Sequence, residues 1–358
     1  MSIHFHLLKI KEVRRETPAC VSVFFEIPSE LKKSFSFQQG QSLTIRFFLN
    51  REELRRTYSI CSSPLDSELQ IAIKKQESGL FSSFAIEKLK AGDELEVMEP
   101  VGKFYTELDP SHKKNYLAFA AGSGISPVIS IIKTTLRTEP HSHFTLVYGN
   151  QSRSSIIFFE ELEGMKNIFL DRFNLIHILS REKTEIPLNS GRISLEKLNE
   201  LGKLIDYFSI DDFFICGPEE MIFCAKDFLE QKGIDPNNIH FELFTTAGKK
   251  RKATNSEPQM ASRVASSTIT VKLDGRAFDF SLSLDGTTIL DGALKQGADL
   301  PYACKGGMCC TCKAKLLEGE VEMDVHWGLE EEEIKKGYIL TCQSHPKTEK
   351  VVVDFDIK

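Results

Sequence analysis

The stretch Cys304-Lys305-Gly306-Gly307-Met308-Cys309-Cys310-Thr311-Cys312, together with Cys342, holds five of the chain's nine cysteines. Its spacing is C-x4-C-x2-C, with one further cysteine thirty residues after Cys312. Thiolates at this spacing hold a plant-type [2Fe–2S] cluster. Soft thiolates suit iron, and their negative charge offsets that of the metal. Gly306 and Gly307 let the backbone curl and aim N–H groups at sulfur. Cys304, Cys309, Cys312 and Cys342 are therefore the expected ligands, with Cys310 a bystander. A zinc site is the alternative. Such sites usually pair two short C-x2-4-C hooks, and only one x2 hook is present here.

Around this loop the sequence predicts a small α+β domain over residues 267–358. It opens on a hairpin, TITVKLDGRAFDFSLSLDG, followed by a short helix near Thr288–Gln296 and by strands in KAKLLEG, YILTCQS and KVVVDFD. The segment carries 11 basic and 16 acidic residues. Its run Glu330–Glu333 reads either as a docking surface for a partner or as the solvated start of a helix. Before it, residues 246–266 are polar and without hydrophobic period, and read as an interdomain linker; a basic nucleic-acid tail is the alternative, against which the run is short and internal.

Further upstream two other patterns appear. Residues 1–108 hold short alternating runs (CVSVFFEI, QSLTIRFF, LRRTYSIC, LQIAIKK) broken by Gly, Pro, Asn and Ser. That predicts an antiparallel β-barrel or sandwich. One helix is expected in it, from Ser82 or Ser83 to about Lys90, ended by Gly92. In residues 109–245 apolar strands (YLAFAA, FTLVYG, NLIHILS, DFFICG, IHFEL) alternate with helical patterns, which predicts a parallel sheet covered on both faces.

Each segment carries a candidate site. In the first, Arg56 can grip a pyrophosphate, Tyr58 offers a flat face to a ring, and Ser59 offers a hydroxyl. Lys74 ends a strand, and Ser82 and Ser83 stand at a helix start, where anions bind. A barrel strand with an exposed arginine and a half-buried tyrosine would look the same. In the second, a strand runs into Gly122-Ser-Gly124-Ile-Ser-Pro127 and a helix, the arrangement that cradles a dinucleotide. Pro127 replaces the third glycine and suits a first helical turn. Cys216 and Gly217 end the last-but-one strand, at the carboxyl edge where ligands of open parallel sheets bind. Cys216 could equally be a small buried thiol.

Bulk properties fit a multidomain globular chain. With 358 residues, two or three domains are expected. The net charge of −6 does not suggest a nucleic-acid binder, which usually shows a basic face. No run is long enough for a signal peptide or a membrane span, so a cytoplasmic location and reduced cysteines are expected.

Taken together, the three motif sets resemble the ferredoxin–NADP reductase superfamily fused to a C-terminal plant-type ferredoxin. The carrying stretches are FHLLKIKEVRRET, EELRRTYSICSSP, CKGGMCCTCKAKLLEGEVEMD and GYILTCQSHPKTEKVVVDFD. Within that group they are most similar to reductases of ring-1,2-phenylacetyl-CoA epoxidation. The resemblance implies a FAD β-barrel, an α/β NAD(P) domain and a β-grasp ferredoxin domain. It implies FAD held through Arg56, Tyr58, Ser59, Lys74, Ser82 and Ser83, and the nicotinamide dinucleotide held through Gly122, Gly124, Pro127, Cys216 and Gly217. Phe244 matches an aromatic at the flavin edge, and Glu242 is similarly placed; Ser59, Cys216 and Glu242 are the expected catalytic set. Ser180 and Arg181 resemble a 2′-phosphate site, which implies NADPH as donor. The implied partners are oxygenase subunits that accept single electrons. A reductase for another oxygenase, hydroxylase or desaturase, or a non-catalytic redox sensor, is the alternative function.

Overall fold

The computed structural model describes residues 4–49, 52–244, 266–283 and 286–357. Phe5–Phe244 form one compact unit, and 245–358 belong to a second.

The first unit opens with β1 (Phe5–Thr17), β2 (Cys20–Glu26), β3 (Ser42–Leu49), β4 (Glu52–Ser59), β5 (Leu69–Lys74), α1 (Leu80–Glu87) and β6 (Glu94–Met98). The strands pair antiparallel in the order β4-β3-β6-β1-β2-β5. Just past β4, Ile60 bridges Ile71 of β5, and the Cys61 amide donates to the Gln70 carbonyl at 2.9 Å. Those links join the two edge strands and close the sheet, which removes its exposed edges. Alternation puts Leu8, Ile10, Val23, Leu43, Ile45, Ile71 and Val97 inside, all essentially inaccessible.

A five-stranded parallel sheet follows. Its elements are β7 (Asn115–Ala121), α2 (Ile125–Thr138), β8 (His143–Asn150), α3 (Phe159–Ile168), β9 (Phe173–Leu179), α4 (Leu195–Leu201), β10 (Asp212–Gly217), α5 (Glu219–Gln231) and β11 (Ile239–Leu243). The order β11-β10-β7-β8-β9 brings the carboxyl ends of β7, β10 and β11 side by side. The central strands β7 and β10 are buried nearly throughout, as a sheet covered on both faces requires.

The second unit contains β12 (Ser266–Leu273), β13 (Arg276–Ser283), α6 (Ile289–Lys295), β14 (Lys313–Glu318), β15 (Val321–Met323), α7 (Glu331–Lys335), β16 (Tyr338–Leu340), β17 (Ser344–Pro346) and β18 (Lys350–Asp354). A mixed sheet, β13-β12-β18-β14-β16, places the last strand parallel to the first and packs α6 against the hairpin. Thr288 caps α6 by accepting from the Asp291 amide at 3.2 Å.

One expected helix starts elsewhere. α1 begins at Leu80 rather than at Ser82 or Ser83, because Ser82 turns its hydroxyl back to the Gly79 carbonyl (3.2 Å) and accepts from the Gln76 amide (3.1 Å). α3 follows Phe158, which adopts a left-handed φ of 61° just before the helix. Of the predicted linker, residues 246–265 lie outside the described residues, and Ser266 already opens β12. Among the described residues no helix is long and apolar enough to cross a membrane.

Candidate active site and electron-transfer centre

Three strand ends meet in the first unit. On β4, Ser59 is buried and its Oγ donates to Glu242 Oε2 at 2.9 Å, across 183 residues of sequence. Glu242 lies on β11 in register with Cys216 on β10. Cys216 is fully buried, which pushes its thiol well above the usual range; the Glu242 charge adds to this. The thiol is therefore neutral at working pH. Ser59, Cys216 and Glu242 thus come together, and Phe244 follows one residue past the end of β11, 43% exposed.

Beside this point the chain leaves β7 into the glycine loop. A side chain at Gly124 would place its Cβ 2.0 Å from the Cys216 carbonyl oxygen and 2.8 Å from the Gly217 nitrogen. Only glycine allows the loop to lie directly on the end of β10. Gly122 has a φ of +54°, and a Cβ there would stand 3.1 Å from Lys74 Nζ. Lys74, at the end of β5, therefore reaches from the barrel to the glycine loop. Pro127 lies in the first turn of α2 and is buried. Sequence reading missed Tyr148, whose hydroxyl donates to the Gly122 carbonyl at 2.9 Å and fixes the loop from below.

On β4, Arg56 donates to the Arg55 carbonyl at 2.7 Å. Tyr58 is half-buried with its ring 5.9 Å from Phe81, and burial raises its phenol. The first-turn amides of α1 have no carbonyl four residues back within the helix, so they face outward as donors. Ser82 is occupied inside its own turn, while Ser83 is half-buried. Arg56, Tyr58, Lys74 and the α1 turn thus offer cations, a flat ring and amides, the donor set that a flavin dinucleotide needs.

At the end of β9, the Ser180 and Arg181 amides donate to the Asn150 and Gln151 carbonyls at 2.9 and 2.8 Å, and the Arg181 side chain is exposed. Glu182 accepts from the Arg153 amide at 2.7 Å. Basic and acidic side chains therefore flank the same strand end.

In the second unit the four predicted cysteine ligands converge. Among the described residues no three His, Cys, Asp or Glu groups gather as a single-ion centre. The cysteines interact instead as two pairs, Cys304 with Cys309 and Cys312 with Cys342, and Cys312 also feels the charge of Cys309. Cys304 is shifted down toward thiolate, first by the Cys309 thiol and further by the Gly306, Cys309 and Met308 amides. Two pairs ringed by amides suit two irons better than one zinc. Gly307 has a φ of +77°, and its absent Cβ would meet Val325 at 2.7 Å. Gln343 Nε2 braces the loop by donating to the Lys305 carbonyl at 2.9 Å and the Cys342 carbonyl at 3.0 Å. Cys310 has a φ of 55°, and its thiol donates to the Gly328 carbonyl at 2.6 Å, away from the two pairs.

A closed antiparallel barrel, a parallel nucleotide sheet and a cysteine loop on a mixed sheet define a modular flavin and iron–sulfur electron-transfer reductase. Family models agree: an oxidoreductase FAD-binding domain matches residues 7–105, an oxidoreductase NAD-binding domain matches 119–227, and a 2Fe-2S iron-sulfur cluster binding domain matches 271–347. The chain is 44% identical to one of the subunits of 1,2-phenylacetyl-CoA epoxidase from Escherichia coli, covering 99% of this chain and 98% of that one. It is 31% identical to the ferredoxin reductase component of 3-ketosteroid-9-alpha-monooxygenase of Rhodococcus rhodochrous, covering 98% and 96%. The crystal structure of phthalate dioxygenase reductase shares its fold, with a TM-score of 0.55 at 23% identity over 98% of each chain. The chain belongs to the ferredoxin–NADP reductase superfamily, in the branch with a C-terminal [2Fe–2S] ferredoxin domain that serves oxygenases as an electron-transfer reductase component.

Proposed function

We propose that this chain uses NADPH to supply single electrons to the oxygenase subunits of a ring-1,2-phenylacetyl-CoA epoxidase in the cytoplasm. The domains assigned to this task are the FAD barrel (1–108), the NAD(P) domain (109–245), a linker (246–266) and the ferredoxin domain (267–358). When bound, FAD supplies the conversion of a hydride into single electrons, and the [2Fe–2S] cluster carries them one at a time.

The observation that carries the reading is the Ser59–Glu242 hydrogen bond beside Cys216, with the glycine loop pressed on the end of β10. The Glu242 carboxylate takes the Ser59 proton in a hydrogen bond and orients the hydroxyl, so its oxygen stands fixed as an acceptor where the barrel meets the parallel sheet. Cys216 brings a neutral, polarizable thiol; a thiolate there would repel an arriving hydride. Burial of Ser59 and Cys216 excludes water from the transfer path. Arg56, Tyr58, Lys74 and the α1 turn, with Ser83, hold FAD. Gly122, Gly124, Pro127 and Gly217 receive the dinucleotide, Phe244 covers the ring edge, and Ser180 and Arg181 receive the 2′-phosphate. Cys304, Cys309, Cys312 and Cys342 ligate the cluster.

The identity to the epoxidase protein over the full chain supports the choice of partner. Reconstitution with the epoxidase oxygenase subunits and phenylacetyl-CoA tests it. NADPH consumption coupled to product formation is expected, and consumption indifferent to the oxygenase subunits refutes the partner. A reductase for a steroid or betaine monooxygenase is the second reading, favoured by the relatives of those systems that match at about 30% identity.

A further inference from the structure

Helix α2 carries a polar stripe at Ser130, Lys133, Thr134 and Arg137, spaced as one helical face. The whole stripe meets one short barrel segment, residues 61–66, which directly continues the flavin strand β4. Ser130 Oγ donates to the Ser62 carbonyl at 2.6 Å, and Thr134 Oγ1 and Ser63 Oγ are 2.8 Å apart. Arg137 donates to the Leu65 carbonyl at 3.2 Å and pairs with Asp66. At the centre is Lys133, whose side chain is only 12% exposed. Its ammonium donates to the Cys61 carbonyl at 3.3 Å, stands 3.4 Å from Asp66, and pairs with Glu161 of α3 at 2.8 Å.

We infer that Lys133 is a positioning residue for hydride transfer, locking the nucleotide helix α2 to the barrel segment that extends the flavin strand. The inference rests on the reading that FAD sits on β4 and the dinucleotide on the loop that opens α2. One end of α2 carries that loop, and Lys133 lies eight residues further on, about 12 Å along the axis. The barrel end of the lock is two residues past Ser59. The lock therefore spans the two surfaces whose separation sets the donor-to-acceptor distance. Three oxygens from two segments, the barrel stretch 61–66 and α3, converge on one largely buried cation, a geometry that an apolar side chain cannot replace. Transfer rates fall steeply with misplacement, about a hundredfold for 1 Å. None of the four stripe residues lies in the glycine loop or on β4, so binding of either cofactor does not require them directly.

The test compares wild type with Lys133→Met and Lys133→Arg, all as holoenzymes. Stopped-flow flavin reduction by NADPH, and separately by NADH, gives the limiting rate and the nucleotide Kd. Hydrogen–deuterium exchange of the nucleotide-free holoenzymes follows the amides of residues 62–70, where Ser63 donates to Asp66 and Gln70 to Ser62. Lys133→Met is expected to slow the limiting rate tenfold or more while Kd moves less than about threefold, with full FAD and cluster content. Exchange in 62–66 accelerates, and Lys133→Arg recovers most of both. A limiting rate and an exchange pattern like wild type overturn the inference. So does parallel loss of FAD, nucleotide affinity and rate, which marks a folding role. Should Lys133→Met not fold, Ser130→Ala removes only the Ser62 contact; faster exchange and slower reduction are expected, and no change overturns the inference. If wild type itself is not reduced by either nucleotide, the cofactor reading fails, while the exchange arm still decides whether Lys133 holds the lock.

Discussion

Replacing Gly124 with alanine adds one methyl group where the glycine loop after β7 lies against the end of β10. Its Cβ would lie 2.0 Å from the Cys216 carbonyl oxygen, 2.4 Å from the Cys216 carbonyl carbon and 2.8 Å from the Gly217 nitrogen. The Gly124 backbone is right-handed helical, with φ −61° and ψ −11°, so alanine adopts it without torsional strain and the whole effect is steric. Non-bonded carbon and oxygen need at least about 3 Å, so the loop must retreat by about 1 Å. Overpacking of this kind costs about 1–3 kcal/mol of stability, which a domain of this size tolerates. The retreat carries the dinucleotide loop away from Cys216, Ser59 and Glu242, and a 1 Å displacement lowers a positioned transfer about a hundredfold. Rapid-mixing measurement of flavin bleaching by NADPH reads this directly, with the FAD content and the low-temperature EPR signal of the chemically reduced cluster as controls. A Gly124→Ala protein with intact cofactors that is reduced within about threefold of the wild-type rate would refute the placement of the nicotinamide at this loop.

Cys304→Ser, Cys309→Ser, Cys312→Ser and Cys342→Ser should each remove or badly destabilise the cluster while FAD remains, as read by visible absorbance and iron content. Cys310→Ser should leave the spectrum nearly unchanged, because a hydroxyl can keep the bond to the Gly328 carbonyl. Arg56→Ala should weaken FAD binding by roughly tenfold or more, the worth of a charge-assisted contact, with the cluster intact; flavin release on gel filtration checks it. Arg181→Ala should raise KM for NADPH roughly tenfold and leave KM for NADH little changed, and equal loss with both would make Arg181 a support of the fold.

What the sequence revealed and what it hid follow the distance between interacting residues. The iron–sulfur domain is readable because three of the four expected cysteine ligands lie within nine residues of chain and their spacing itself carries the signal. The parallel domain was readable because buried strands and amphipathic helices differ in period. Tyr148, Lys133 and Gln343 left no local signal: each owes its role to a carbonyl on another segment, and Ser62 meets Ser130 across 68 residues. The start of α1 at Leu80 is hidden because a serine near a helix start reads as a first-turn signal, whereas Ser82 bonds backward to Gly79. Glu330–Glu333 now has a local account. Glu330 caps α7 in a reciprocal box with Glu333, Glu333 pairs with Lys313 at 2.8 Å, and Glu331 pairs with Lys335 at 3.4 Å. Helix capping thus explains that run without a partner, although the acidic excess of the ferredoxin segment is still available for docking.

On the proposed route, electrons enter as hydride beside Ser59, Cys216 and Glu242 and leave singly through the four-cysteine centre. Anaerobic titration with NADPH, followed by visible absorbance and low-temperature EPR on the same samples, decides whether they do. Bleaching of FAD accompanied by the EPR signal of a reduced [2Fe–2S] cluster, with Cys304→Ser giving the bleaching alone, is the expected result. FAD that bleaches in the intact protein while the cluster stays oxidised, or a cluster reduced by NADPH in Arg56→Ala protein freed of flavin, would contradict that route.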